Sequence, residues 1–288
     1  MNDNMNIAVI LPAAGKGERF ASQSGKKTPK LELDLNGRSV LLRAIELFTA
    51  RADVKQVIVA VDPDGIDTFK FKWGDKLGFL GVKVVAGGKK ERWETVLNAL
   101  EAVDDDVTHV AVHDAARPVA AKDMIDRVFE AAGSNDAVIP AVPVSATIKR
   151  AEKNDAADEE ADPLDAILGS AGKKAAVQTY RVTETVPREG LWLVQTPQVV
   201  EVGLMREAYQ QIRDGELDGS GITDDAGLVE ALGKEVTIVD GDSMNVKITI
   251  PDDLEFAKVV QKIRSGEASK EALGAKRRFE TWAEMEDG

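Results

Sequence analysis

Short β-branched runs bounded by turn residues alternate with helical periods along this chain, the pattern of a parallel sheet covered by helices. Ile7–Leu11, Gln56–Val61, Val82–Ala86, Thr108–His113 and Ala137–Pro140 predict strands, and Val236–Asp240 predicts a later one. Between them, apolar positions recur every three or four residues. Ser39 is placed to cap a helix carrying Leu41, Ile45 and Phe48, and Trp93, Val96, Leu97 and Leu100 give a second stripe. Met205, Tyr209 and Ile212 give a third. Phe256, Val259, Val260 and Ile263 give a fourth, on a helix that Pro251 opens at its first turn. All four stripes are expected to be core. The predicted class is α/β, a Rossmann-like, mostly parallel sheet flanked by helices.

Two regions break the pattern. Residues 151–182 are acidic from Glu152 to Asp165 and then run through Gly169-Ser170-Ala171-Gly172. This reads as an exposed excursion whose closing Val177–Val182 can form a strand. The tail after about Ser265, rich in Lys, Arg, Glu and Ala, is assigned no chemistry.

The formal net charge of −13 argues against nucleic acid or an anionic membrane as the main partner. No stretch approaches the ~18 apolar residues that cross a bilayer. Met1–Asn6 is short and polar, unlike a secretory or transit segment, so cytoplasm is the expected location. The absence of cysteine removes disulfides, zinc–thiolate sites and thiol catalysis.

Against that acidic background, Lys16–Lys30 carries Lys16, Arg19, Lys26, Lys27 and Lys30 against Glu18, a balance of 5 − 1 = +4. Such a cluster is ordinarily a solvated loop. Here it overlaps Leu11-Pro12-Ala13-Ala14-Gly15-Lys16-Gly17-Glu18-Arg19, small residues directly after a strand. Small residues let backbone approach a ligand closely, with N–H groups toward phosphate oxygens. A dinucleotide fingerprint would need a third glycine where Phe20 stands. A Walker A loop would need Ser or Thr where Lys27 follows Gly25-Lys26. A loop followed by Arg19 and then by Lys30 after Pro29 suits a triphosphate better than either. A nicotinamide-dependent oxidoreductase is the alternative from another class.

A second string, His113-Asp114-Ala115-Ala116-Arg117-Pro118, ends a predicted strand, where ligands bind in open α/β sheets. Asp114 can accept hydroxyl hydrogen bonds or hold a metal, and Arg117 can grip a phosphate bidentately. The competing reading is a local Asp114–Arg117 pair that fixes a turn. His113 is either packed or active. Later strings are Thr196-Pro197-Gln198, Ile222-Thr223-Asp224-Asp225-Ala226 and Asn245-Val246-Lys247-Ile248-Thr249. Lys247 interrupts an apolar alternation, for which the ordinary reading is an edge-strand gatekeeper.

Together these strings resemble the 2-C-methyl-D-erythritol 4-phosphate cytidylyltransferase family, in consistent order from Ile7 to about Lys262. Pro-Ala-Ala-Gly-x-Gly-x-Arg followed by Pro-Lys marks the wider nucleotidyltransferase superfamily. His-Asp-Ala-Ala-Arg-Pro, Thr-Pro-Gln, Ile-Thr-Asp and Asn-x-Lys narrow it to this family or to the ribitol-5-phosphate cytidylyltransferases, which tend to have Val where Ala116 stands. The resemblance implies one nucleotidyltransferase domain over 1–265, with an arm insertion at about 144–190 for dimerisation and a tail at 266–288. It implies that Ala13, Ala14, Gly15, Gly17, Arg19 and Lys30 surround the triphosphate of CTP. Gly87, Gly88, Arg92 and Thr95 would line the base and ribose, with Gly88 and Thr95 discriminating cytosine. Asp114, Arg117, Thr147, Thr196 and Lys247 would hold the polyol phosphate, and Arg188 would come from a partner subunit. Arg19, Lys30 and Lys247 are the expected catalytic cations. Mg²⁺ is expected on the substrate phosphates, with no protein ligand named. The chain departs from the family pattern at Lys89-Lys90, Thr95 and Leu31, and in an arm longer by roughly twenty residues.

Overall fold

The computed structural model describes residues 5–15, 17–25, 28–154, 178–219 and 221–266. The chain divides into two compact units, residues 1–142 with 194–288, and residues 143–193. The first unit opens with β1 (Ile7–Ala13), α1 (Glu18–Ser24), a hairpin of β2 (Asp34–Leu35) and β3 (Arg38–Ser39), and α2 (Val40–Thr49). It continues through β4 (Val54–Val61), α3 (Ile66–Phe79), β5 (Val82–Ala86), α4 (Arg92–Leu100), β6 (His109–Val112), α5 (Lys122–Ala132) and β7 (Ala137–Pro143). The second unit contains an antiparallel pair, β8 (Ile148–Lys153) with β9 (Tyr180–Val186), and β10 (Trp192–Val194) stands at its end. The first unit then resumes with β11 (Gln198–Glu201), α6 (Val202–Arg213), α7 (Asp225–Ala231), β12 (Thr237–Asp240) and α8 (Pro251–Ser265).

Within the first unit the sheet runs β12-β7-β11-β6-β1-β4-β5. β1 lies parallel to β4 and β6, and β4 lies parallel to β5. β11 is antiparallel to both β6 and β7, so the expected parallel sheet is mixed on that side. Strand alternation divides the core. Ile7, Val9 and Leu11 face one way and pack with Ile45 and Phe48 of α2, Leu77 of α3, and Met124 and Val128 of α5. Ala8 and Ile10 face the other way, toward Val96 of α4, Met205 and Tyr209 of α6, and Leu228 of α7. The β1 residues Ile7 to Leu11 are fully buried, as a continuous apolar run between two helix layers requires. Ser39 caps α2 as its sequence position implies, its Oγ accepting from the Leu42 N–H at 3.2 Å.

Several expectations are corrected. On α8 the buried residues are Leu254, Ala257 and Val260, whereas Phe256, Val259 and Ile263 are 48%, 54% and 51% exposed. The small Ala257 concealed the stripe that faces the core. Asn245–Thr249 is irregular rather than a strand, so Lys247 is no edge-strand gatekeeper. The strand expected at Val177–Val182 is β9, displaced toward Val186, and Val177 lies outside the described residues. So do Lys16, Lys26, Lys27, most of the acidic excursion and the tail beyond Gly266.

Candidate active site

A cleft of about 680 Å³ opens in the first unit at the carboxyl ends of β1, β4, β5 and β6. Its walls come from Pro12–Gly15 and Gly17–Phe20, from Asp62 and Asp64, and from Gly88–Arg92 with Thr95. Lys30, Leu31, Asp114–Ala116, Lys247 and Thr249 complete them. Each strand end contributes one loop, the geometry by which parallel sheets collect distant residues.

On one wall, Gly17 is the N-cap of α1 in the left-handed region, with φ 64° and ψ 33°. A β-carbon there would be strained, which accounts for glycine at this turn. The same residue lies along the stem of Lys30, a Cβ at Gly17 falling 3.5 Å from Lys30 Cδ. Lys30 Nζ donates to the Ile248 carbonyl at 3.2 Å, which ties the first loop to the segment carrying Lys247. Burial lowers the Lys30 pKa, and the charges of Lys247 and Arg19 lower it further against an opposing contribution from Asp114. Cations depress one another only when they converge. Arg19 is exposed on the same wall.

The facing wall is a rigid Gly-Gly turn. Gly87 N–H donates to the Val61 carbonyl at 2.7 Å. Gly88 N–H donates to Thr95 Oγ1 at 3.0 Å, and Asn98 Nδ2 to the Gly87 carbonyl at 3.0 Å. A Cβ on Gly88 would fall 2.2 Å from Glu94 Cβ, so no larger residue fits without moving the turn. Glu94 Oε2 accepts from the N–H groups of Lys89, Lys90 and Glu91 at 3.1, 2.9 and 3.3 Å. Those bonds, the Lys90 one foremost, hold its carboxyl below the usual range.

Arg92 enters this wall from the start of α4 and meets Asp225 Oδ2 at 2.7 Å. Asp225 is fully buried and also accepts from Tyr209 Oη at 2.8 Å. Burial opposes the Arg92 charge, but Asp225 outweighs it and raises the pKa above the ordinary arginine value. Gln198 Oε1 receives the N–H groups of Asp225 and Ala226, each at 3.0 Å, and its Nε2 donates to Asp224 at 2.8 Å. The Thr-Pro-Gln and Ile-Thr-Asp strings therefore anchor Arg92 from behind. Asp225 and Tyr209 had no assigned role in the sequence reading. An acid beside an apolar helical period was the only signal available.

At the third corner, Asp114 Oδ2 lies 2.8 Å from Lys247 Nζ and 3.4 Å from Arg117 Nε. Burial raises the Asp114 pKa, but Lys247, Arg92 and Arg117 outweigh it and pull it down to about 2. Asp114 is therefore a carboxylate throughout the neutral range. Arg117 does grip Asp114, as the turn-fixing reading has it, and its Nη1 donates to the Asn245 carbonyl at 2.7 Å. Arg117 and Thr196, both expected at the polyol phosphate, are mostly buried and bonded directly to Asp114 of the cleft lining. Arg117 has only 12% of its side chain exposed, and Thr196 is 5% exposed with its hydroxyl bonded to the Asp114 N–H. His113 is packed, fully buried with its ring edge-on to Phe48 at 5.0 Å. Thr147 and Arg188 belong to the second unit, where Thr147 is exposed and the Arg188 guanidinium donates to the Ser145 carbonyl.

A site that gathers cations and backbone turns at parallel strand ends, with the Asp114 carboxylate held charged among them, is built to order two phosphorylated reactants. That arrangement on this sheet is the architecture of a nucleotidyltransferase. The model of the 2-C-methyl-D-erythritol 4-phosphate cytidylyltransferase family matches residues 7–167 and 170–262, and the chain belongs to that family. It is 38% identical over 255 residues to the protein of that name from Frankia casuarinae, spanning 88% of this chain and 80% of that one. Identity to the namesake from Dechloromonas aromatica is 37% over 263 residues, spanning 88% and 97%. The crystal structure of 2-C-methyl-D-erythritol 4-phosphate cytidylyltransferase from Thermus thermophilus superposes with a TM-score of 0.62 at 32% identity, over 89% of this chain and 98% of that one.

Proposed function

We propose that this enzyme transfers CMP from CTP to 2-C-methyl-D-erythritol 4-phosphate, releasing pyrophosphate, in the synthesis of isoprenoid precursors. A phosphate oxygen of the acceptor attacks the α-phosphorus of CTP. The bond from that phosphorus to the bridging oxygen breaks, and pyrophosphate leaves with the electron pair. With a second pKa of about 6, the acceptor phosphate is already mostly a dianion near neutral pH, so no general base is required. The barrier is electrostatic, a dianion approaching a polyanion, and it falls when cations are preorganised around both. The observation that carries the reading is the convergence of Lys30, Arg19 and Lys247 on one cleft in a chain of net charge −13.

Lys30 and Arg19, with the Ala13–Gly17 turn, are assigned to the triphosphate and the departing pyrophosphate. Gly88, Thr95 and Arg92 are assigned to the base and ribose. Asp114 faces the acceptor hydroxyls, and Lys247 faces its phosphate. Among the described residues no group of three or more acids or histidines could hold a metal ion, and in the cleft Asp114 is engaged by Lys247 and Asp64 by Lys89 at 2.6 Å. A divalent ion such as Mg²⁺ is accordingly placed on phosphate oxygens and water, where it would neutralise charge between the phosphates. The first unit is the nucleotidyltransferase domain, and the second is an arm that joins two subunits into a homodimer. Tyr180, Val182 and Leu193, 64%, 56% and 58% exposed on the single chain, suit an arm of that kind. The enzyme works in the cytoplasm, where both substrates are small soluble phosphates.

A pyrophosphate-release assay crossing CTP and UTP with methylerythritol phosphate and ribitol 5-phosphate tests the assignment. Fastest release with CTP and methylerythritol phosphate is the expected result, and preference for ribitol 5-phosphate or UTP would overturn it. Arg188→Ala is expected to raise the KM for the polyol phosphate without changing the proportion of dimer in sedimentation. A change in assembly alone would make Arg188 a structural residue.

A further inference from the structure

One face of α8 stays open while its neighbour is buried. Leu254, Ala257 and Val260 pack into the core beside Phe20, Leu35 and Ile248. Phe256, Val259 and Ile263 form a second apolar row, at spacings of three and four, and each is about half exposed. A contiguous apolar row on a surface helix marks a face that takes a partner. The helix then ends at Gly266, which lies in the left-handed region at φ 71° with its N–H on the Ile263 carbonyl at 3.2 Å. Such a closure turns the chain off the helix axis.

Residues 267–288 lie outside the described residues, but their sequence complements that open row. Ala268, Ala272, Ala275, Phe279 and Trp282 recur at spacings of four, three, four and three, the period of one helix face. The first three are small where the α8 row is bulky, a pairing of sizes that lets two elements approach closely. An antiparallel register that sets Ala268, Ala272 and Ala275 against Ile263, Val259 and Phe256 also sets Glu271 near Lys262 and Arg278 near Glu255. Both flanking pairs are then of opposite charge, so size and charge select the same alignment. We propose that the open face of α8 is covered by residues 267–288 of the same chain, laid back from Gly266 with Ala268, Ala272 and Ala275 on the apolar row. The match to the family model ends at residue 262, so this cover is an addition to what that match carries.

The chain has no cysteine, so a pair introduced into the full chain reports proximity without background. Val259→Cys with Ala272→Cys, oxidised at low protein concentration, should close a disulfide within one chain. Closure should be at least ~10-fold faster than for Val259→Cys with Lys270→Cys, whose separation in sequence is similar but whose second position falls on the far side of the helical period. Phe256→Cys with Ala275→Cys, set against Phe256→Cys with Arg277→Cys, repeats the contrast one turn along and serves if Val259→Cys does not fold. Ala272→Asp, which puts a charge onto the covered row, should lower Tm by about 2–4 °C. Equal closure rates within each contrast, or an unchanged Tm in Ala272→Asp, would leave the face open and overturn the proposal. Disulfides that join two chains on a non-reducing gel would also overturn it, since the face would then belong to a second copy.

Discussion

Lys30→Ala is expected to lower kcat/KM at least ~10²-fold, the loss typical of one preorganised charge-stabilising donor at a reacting centre. Lys30 is half-buried, its stem lies against Gly17, and its ammonium is fixed by the Ile248 carbonyl. It arrives at the reaction already oriented, so little reorganisation opposes its action on the α-phosphate. Alanine at this position removes the charge and leaves space that water fills, and water is a poorer and mobile donor. The same residue predicts a pH profile. With the Lys30 pKa lowered by burial and by Lys247 and Arg19, the free enzyme loses this cation as pH rises through a range below that of ordinary lysine. The alkaline limb of kcat/KM should lie there. The limb of kcat should lie higher, because bound triphosphate restores the charged form. Lys30→Arg should move the kcat/KM limb upward. Near-normal turnover in Lys30→Ala, measured by pyrophosphate release, would remove the assignment.

Lys247→Ala is expected to lower turnover by a similar ~10²-fold, but through the acceptor. Lys247 is the strongest influence holding the Asp114 carboxyl down at about 2 against the cost of burial. Without it, Asp114 retains Arg117 at 3.4 Å and Arg92 as charged neighbours, and its pKa must rise. Charge toward the incoming phosphate is lost at the same time. The variant should therefore combine a raised KM for the polyol phosphate with a lowered kcat, and should leave the KM for CTP nearly unchanged. A rise confined to CTP would place Lys247 on the wrong substrate.

The sheet was legible because Ile7–Leu11 of β1, Val57–Val61 of β4 and Val110–Val112 of β6 are buried and read as unbroken apolar runs, while β5 at the edge showed as a valine-rich run interrupted by exposed Lys83. β11 was not, since Gln198–Glu201 is four residues long and half of it is polar. On α3, Phe71 and Phe79 are 95% and 91% exposed while Trp73 and Leu77 are buried, so no clean period marks that helix. The site was legible in part for a related reason. Residues at strand ends, such as Asp114 and the Ala13–Gly17 turn, stand beside the signal that locates them. Lys247 lies in an irregular segment held by Asp253, whose carboxylate accepts from the Thr249 and Ile250 N–H groups at 2.7 and 2.8 Å. Its partnership with Asp114 depends on folding, which no local pattern carries. Asp225 and Tyr209 were hidden in the same way, being a buried acid and a core aromatic that meet only in the folded chain.

The Glu94 carboxylate has a consequence for how CTP can sit. It occupies the N–H groups of Lys89, Lys90 and Glu91, a row of donors thereby taken from any phosphate oxygen on that wall. A phosphate laid against this side would compete with a fixed carboxylate for those backbone hydrogens. This agrees with the proposed assignment, in which the uncharged ring lies toward Gly88 and the charged chain toward Gly17.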